Sequence, residues 1–248
     1  VNLGLQGKTV LVTGASQGIG RALAVGLAAS GGRIFAVARR RDRLESLLAE
    51  IGGAAAGHGC LAIDLCDGQS APALLSAAGP VDVIIHAAGG NGGVRDLRAP
   101  ASDWSKVWQL NVGHAIDVNN AFLGPMLERR WGRIVHLSSR VAVELGGAGP
   151  YAAAKAYLNA YVGIMGRELA GKGVLINAIM PSAIAAEGNN WSKALRDKPD
   201  GVREFLASHQ AIGRLGTPDD LLPFVLLLAS DANRFAAGSI VSVDGASH

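Results

Sequence analysis

The sequence predicts a single α/β domain spanning residues 1–248, built on a doubly wound, seven-stranded parallel sheet with helices on both faces, and three observations carry that prediction. Short β-branched runs alternate with helix-length segments along the chain. A glycine-rich turn, Thr13-Gly14-Ala15-Ser16-Gln17-Gly18-Ile19-Gly20, falls between the first such run and the first helical stretch. The composition, 49% hydrophobic against 17% charged, supplies enough apolar material to cover a sheet on both sides, and no Pro/Ser-rich or charged linker divides it.

The strand-like runs are Thr9–Thr13, Arg33–Ala38, Leu61–Ile63, Val81–Ile85, Arg133–Leu137, Leu175–Ile179 and Ser239–Val243. Between them lie amphipathic or Ala-rich stretches such as Ile19–Ala29, Arg43–Ile51 and Tyr151–Ala170, long enough for crossover helices. Parallel neighbours need right-handed crossovers of this size, and the resulting sheet binds its ligands at the carboxyl ends of the strands. Residues 182–212 break the rhythm: they are polar, carry Trp191 and end at the turn-forming Gly213 and Gly216, which reads as a partly helical substrate lid.

Several function classes drop out. The longest apolar stretches, such as Leu221–Ala229, fall well short of the roughly 20 residues a bilayer span needs, and the opening residues lack the basic-then-apolar pattern of a signal peptide. A cytoplasmic protein without a membrane partner is expected. Cys60 and Cys66 flank a strand too extended for a bridge between them, so inert thiols are expected. The histidines, at positions 58, 86, 114, 136, 209 and 248, lack zinc-site spacing, and no metal is expected. The net charge of +3 is mild, and the basic run Arg39, Arg40, Arg41 and Arg43 is too short for a nucleic-acid stripe.

That run has a local explanation. Glycines between a strand and a helix let backbone approach a pyrophosphate, whose charge the helix N-terminus favours, so Gly14, Ser16, Gln17, Gly18, Ile19 and Gly20 are expected to hold a dinucleotide in a Rossmann-type site. The spacing is G-x-x-x-G-x-G rather than G-x-G-x-x-G. Where an NAD-preferring site places a carboxylate for the ribose 2′-OH, this chain has Ala38-Arg39-Arg40, and guanidinium groups pair with a 2′-phosphate. NADP(H) is therefore favoured over NAD, with Arg39 and Arg40 as its readers. Asp64-Leu65 after the third strand would meet the adenine, and the small residues Ala87-Ala88-Gly89 after the fourth would let backbone pass the ribose.

Tyr151 and Lys155 stand four residues apart at the start of a long helix, which puts phenol and ammonium on one face. A neighbouring cation is expected to draw the phenol's pKa down toward the working range of an acid/base. Together with Thr13-Gly14 through Gly20, Asn111 in Leu110-Asn111-Val112, the strand end Ser138-Ser139 and Gly213-Arg214-Leu215-Gly216 with Asp219, this pair resembles the short-chain dehydrogenase/reductase family, and most closely its branch of β-ketoacyl carrier-protein reductases and related sugar or alcohol dehydrogenases. The resemblance implies that Tyr151 is the acid/base, that Lys155 tunes it and binds the nicotinamide ribose, that a serine holds the substrate oxygen and that Asn111 orders a relay water. It implies reduction of a ketone to a secondary alcohol, or the reverse, by an NADP(H)-dependent homotetramer packed through helices around residues 103–130 and 151–170 and the last strand.

The sequence departs from the family's pattern in places. The usual serine-to-tyrosine spacing selects Ser138, whereas the strand Gly132–Ser139 selects Ser139; the latter is preferred, and strand alternation allows only one to serve. The family's Asn-Asn-Ala-Gly turn is His86-Ala87-Ala88-Gly89, its Pro-Gly is Pro181-Ser182 and a common threonine is Ala186, leaving Pro181 and the backbone at Ile184 to meet the nicotinamide. Arg140 is open to two readings, a contact for an anionic substrate or an exposed loop residue. Two rival functions remain, a catalytically silent NADP-binding regulator or scaffold, and a non-redox enzyme of dehalogenation or isomerisation; the intact tyrosine, lysine and glycine turn disfavour both.

Overall fold

The computed structural model describes residues 2–145 and 147–247. Its strands are β1 (Thr9–Thr13), β2 (Arg33–Ala38), β3 (Gly59–Ala62), β4 (Val83–His86), β5 (Gly132–Leu137), β6 (Val174–Pro181) and β7 (Ile240–Val243). They form one sheet of order β3-β2-β1-β4-β5-β6-β7, and every neighbouring pair is parallel. The strand order reverses between β1 and β4, so the crevice of a doubly wound sheet opens at their carboxyl ends.

Crossover helices cover both faces. α1 (Gly18–Ala29), α2 (Arg41–Glu50) and α10 (Pro218–Ala229) bury Leu23, Leu27, Leu44, Leu47, Leu221 and Val225 against Val10, Val12, Val83 and Ile85. α3 (Ser70–Ala78), α5 (His114–Glu128) and α7 (Gly149–Ala170) bury Leu74, Phe122, Met126, Val162 and Leu169 against Leu11, Ile84, Ile134 and Ile176. Adjacent residues of one strand thus go to opposite cores, as a pleat requires, and each large apolar side chain so buried contributes about 1.5–3 kcal/mol. α4 (Ala101–Trp108) runs through a π-helical turn, Gln109–Gly113, into α5. The short helix α6 (Val141–Glu144) follows β5.

Expected and observed bounds differ at several ends. β3 begins two residues earlier than read, β4 starts at Val83 and takes in His86, and β6 extends to Pro181. α7 starts at Gly149 because Pro150 sits in its first turn, where its missing N–H and fixed φ suit a helix. Residues 182–212 carry two helices, α8 (Asn190–Asp197) and α9 (Pro199–His209). The Trp191 and Phe205 rings meet at 4.6 Å, and both pack on Ala183, Val202 and Leu215. Cys60 lies within β3 rather than before it, and both cysteines are free thiols. No helix among the described residues is long and apolar enough to cross a membrane.

Candidate active site

All segments expected to bind or react lie at the carboxyl edge of the sheet. The turn after β1 opens α1, whose N-cap Gln17 makes no side-chain cap, so the first-turn N–H groups are left to an external acceptor. Gly14 has φ of 68° and its backbone presses on the turn after β4: a Cβ there would lie 2.7 Å from the Ala88 nitrogen. Thr13 Oγ1 accepts from the N–H groups of Ala87 and Ala88, both at 3.2 Å, tying the ends of β1 and β4 together. Ser16 is buried, and Gly18, Ile19 and Gly20 form the first turn of α1.

Arg39 is exposed just past β2. Arg40 donates to Gln17 Oε1 at 2.7 Å, which leans its guanidinium onto the glycine turn, whereas Arg41 and Arg43 pair with Glu45 and Glu187. Cations without a carboxylate at the β2 tip, above an uncapped helix mouth, suit a phosphorylated dinucleotide. Asp64 Oδ1 accepts from the Cys66 N–H at 3.0 Å, and Leu65 is buried beside it. Burial raises the Cys66 thiol's pKa, Asp64 adds to that, and Arg39 opposes it, so Arg39 shares this corner.

The residues expected to react converge from the end of β5, the π-helical turn and α7. Ser138 Oγ donates to Asn159 Oδ1 at 2.5 Å and is buried. Ser139 turns the other way and hydrogen-bonds Tyr151. Lys155 Nζ is buried, donates to the Leu137 carbonyl at 2.7 Å and lies 5.6 Å from the centre of the Tyr151 ring. Burial pulls its pKa down to about 8, so it is mainly an ammonium at neutral pH.

Tyr151 differs from expectation. Burial pushes its phenol above the ordinary value and only the Ser139 hydrogen bond opposes it, because the Lys155 ammonium is turned to a carbonyl and not to the phenol oxygen. The phenol is therefore a protonated donor in this structure.

Asn111 sits in the π-helical turn, buried, with its amide engaged three times: Oδ1 accepts from the Gly90 N–H at 3.0 Å, and Nδ2 donates to the carbonyls of Gly90 at 2.7 Å and Val107 at 2.8 Å. Its side chain clips the turn after β4. At Gly89 a Cβ would fall 2.6 Å from Asn111 Oδ1, so the turn, Asn111 and Lys155 are mutually packed. Pro181 closes β6 and accepts from the Arg140 N–H. The Ile184 carbonyl accepts from Asn189 Nδ2 at 2.6 Å, and its backbone bridges Gly216.

Arg140 fits neither sequence reading. Its Nε lies 3.0 Å from Glu144 and 3.3 Å from Asp244, and a guanidinium nitrogen donates to the Ser247 carbonyl, so it pins Asp244 and Ser247 beside the serine loop. Sequence reasoning also missed a layer of buried polar groups below Lys155, His114, His136 and Asn119 beside His86, with the half-buried Tyr161 hydroxyl at its edge. A signal was present, since Ile84-Ile85-His86 and Ile134-Val135-His136 repeat one pattern on neighbouring strands. Among the described residues no group of three or more His, Cys, Asp or Glu side chains could hold a metal ion.

A family model described as short chain dehydrogenase matches residues 8–196. The 3-oxoacyl-(acyl-carrier-protein) reductase of Vibrio cholerae is 31% identical over 249 aligned positions, with 98% of each chain covered. The structure of a 3-oxoacyl (acyl-carrier-protein) reductase from Agrobacterium tumefaciens C58 with NADP bound aligns with a TM-score of 0.89 at 28% identity, covering 98% of this chain and 95% of that one. L-sorbose reductase from Gluconobacter frateurii, complexed with NADPH and L-sorbose, aligns with a TM-score of 0.89 at 27% identity, covering 99% and 98%. A family match over residues 8–196 and relatives aligned over nearly the whole chain make this chain a member of the short-chain dehydrogenase family.

Proposed function

We propose that the chain is an NADP(H)-dependent oxidoreductase that reduces a small-molecule ketone to a secondary alcohol, or runs the reverse, with Asn111, Ser139, Tyr151 and Lys155 as its reacting set. The observation that carries this reading is the Ser139–Tyr151 hydrogen bond at the rim of the crevice, with a buried ammonium beneath the tyrosine ring. Gly14, Ser16, Gln17, Gly18, Ile19 and Gly20 would cradle the diphosphate, Arg39 and Arg40 the 2′-phosphate, Asp64 and Leu65 the adenine, Ala87 to Gly89 the ribose, and Pro181 and Ile184 the nicotinamide. When bound, the reduced cofactor supplies the hydride that adds to the carbonyl carbon.

The chain's own residues handle the proton and the charge. Tyr151, kept protonated by burial, gives its proton to the carbonyl oxygen. Ser139 donates to the same oxygen as negative charge builds on it. The phenolate left behind stands over the Lys155 ammonium, 5.6 Å from the ring centre, which favours it until solvent reprotonates it. In the oxidative direction the same groups act in reverse.

Residues 182–212 would cover the substrate. Homotetramer formation is part of the proposal, supported by apolar surface on two sides: a groove of about 310 Å³ lined by Trp104, Trp108, Pro150, Ala153 and Tyr157, and the exposed Ile164 and Phe235. So is a cytoplasmic setting, where reduced dinucleotide is regenerated. A silent scaffold is disfavoured, because nothing in mere cofactor binding calls for Ser139 to be bonded to Tyr151.

The test follows NADPH absorbance against a panel of ketones, with NADH in parallel. Turnover with NADPH preferred is expected, and Tyr151→Phe should lower kcat by about a thousandfold, in the range of lost acid catalysis, with NADPH affinity retained. An active Tyr151→Phe, or a wild-type protein that binds neither dinucleotide, overturns the reading.

A further inference from the structure

A layer of three histidines lies under the active site, and the reaction just proposed uses none of them. β4 and β5 present His86 and His136 as register partners, and their rings stack at 4.3 Å with planes 10° apart. Asn119 of α5 lies across them: Oδ1 accepts from His86 Nε2 at 2.9 Å, and Nδ2 faces His136 Nε2 at 3.4 Å and Tyr161 Oη at 3.0 Å. His114 stands edge-on to His86, with ring centres 6.3 Å apart. All three imidazoles are buried, and His86 Nδ1, His114 Nε2 and His136 Nδ1 have no hydrogen-bond partner among the described residues. Each such orphan costs a core about 1–3 kcal/mol relative to an apolar replacement of the same shape, so stability alone does not explain the layer.

His114 makes one contact that leads to the chemistry. Its Nδ1 lies 3.1 Å from the Gln109 carbonyl, which also accepts the π-helical hydrogen bond from the His114 backbone N–H. A carbonyl only accepts, so Nδ1 carries the hydrogen and Nε2 is the bare, unpartnered nitrogen. The ring therefore clasps the carbonyl that opens the π-helical turn, a wide turn of a kind frequent at functional sites. Asn111 is the middle residue of that turn, bonded to both backbone groups of Gly90 and packed on Gly89, with Lys155 Nζ 3.5 Å from where a Gly89 Cβ would be.

We propose that His114 is a positioning residue of the active site: its ring, seated edge-on against the His86–His136–Asn119 layer, locks the π-helical turn and so sets Asn111 against the Gly89–Gly90 turn and Lys155. The assignment rests on the oxidoreductase reading. Five groups face His114 electrostatically besides the Gln109 carbonyl: His86 from β4, His136 from β5, Lys155 from α7, Asp117 from its own helix and Asp64 from the turn after β3. A proton on Nε2 would add a charge beside Lys155 with no acceptor for it, so the clasp works with a neutral ring.

Two variants of matched shape separate positioning from filling. In His114→Asn an amide nitrogen stands where Nδ1 stood; in His114→Leu a methyl does. The expected result is kcat within about threefold of wild type for the first and at least tenfold lower for the second, with the dissociation constant for NADPH within about twofold in both, a loss on the scale of one oriented contact in the transition state. A second readout needs no apolar variant and so survives a His114→Leu chain that fails to fold: His114→Gln carries its amide one carbon farther out, where Nε2 stood and away from the Gln109 carbonyl, and should lower kcat at least tenfold while His114→Asn does not. Equal kcat for His114→Asn and His114→Leu, or for His114→Asn and His114→Gln, overturns the role of His114 while leaving the function intact. A wild-type protein inactive on every carbonyl with NADPH overturns the functional reading instead, so the two failures are told apart.

Discussion

Ser138 and Ser139 are chemically identical neighbours with different tasks, because a strand end turns alternate side chains to opposite sides. Ser138 faces α7 and donates to Asn159, while Ser139 faces Tyr151. Ser139→Ala should therefore lower kcat by roughly 10²–10³-fold, as loss of an oxyanion donor does, without altering cofactor affinity. Ser138→Ala should leave kcat near wild type and cost about 1 kcal/mol in urea unfolding, the scale of one hydrogen bond. A reversed pattern would exchange their roles. Sequence alone presented both, since spacing to Tyr151 favoured one serine and strand alignment the other, and only the pleat in three dimensions separates them. The Tyr151 environment was harder to read. Helical spacing puts Lys155 on the same face, but where its ammonium turns depends on the Leu137 carbonyl, which another element supplies.

At the scale of elements, the strands were legible because each is a β-branched run closed by a breaker, and the misread ends share a cause. His86 looked like the start of a loop, yet it pairs with Thr13 on one side and His136 on the other. The π-helical turn at Gln109–Gly113 left no mark in the periodicity, since it depends on contacts with His114 and the β4 turn. The glycine turn was legible, and the structure adds which glycine is constrained by a neighbour. Gly14→Ala places a methyl 2.7 Å from the Ala88 nitrogen at a φ of 68°, so it should destabilise the fold by about 1–3 kcal/mol and weaken NADPH binding at least tenfold, because Ala88 and the helix mouth move together. Gly201→Ala, in α9 with nothing within 4 Å of its added carbon and no proline after it, is the control and should stabilise by about 0.5–1 kcal/mol. Urea titration and NADPH binding measured on the two variants check both halves; a Gly14→Ala protein as stable as wild type would mean that the β1–β4 contact yields freely.

For the whole molecule, the histidine layer sets a pH at which the fold weakens. Burial pushes His86 down to about 3 and His114 down to about 4, and it holds His136 well below the ordinary value, with Lys155 adding to the effect at all three and the neighbouring rings adding to it at His86 and His136. In the unfolded chain the same rings take a proton near pH 6.5, so above that value neither state binds it and stability is at its plateau. As pH falls below 6.5 the unfolded chain gains protons that the folded one refuses, and the loss continues until the folded rings themselves titrate. At pH 5 the difference is about 2 kcal/mol for each of His86 and His114, or on the order of 4 kcal/mol together, a large part of the whole stability of many domains, and His136 acts in the same direction. Carboxylates act lower: Asp220, held well below the usual range by Arg214 and the Thr217 N–H, begins to matter only as pH falls toward 4. The interval from pH 6.5 to 5 therefore belongs to the histidines. Thermal unfolding across it should show a steep fall of Tm for the wild-type protein, and a double His86→Asn, His136→Asn variant should flatten the curve, since an amide keeps a polar partner for Asn119 and takes no proton. Parallel Tm-versus-pH curves for the two proteins would show that the rings are protonated in the fold without cost, and that water reaches them.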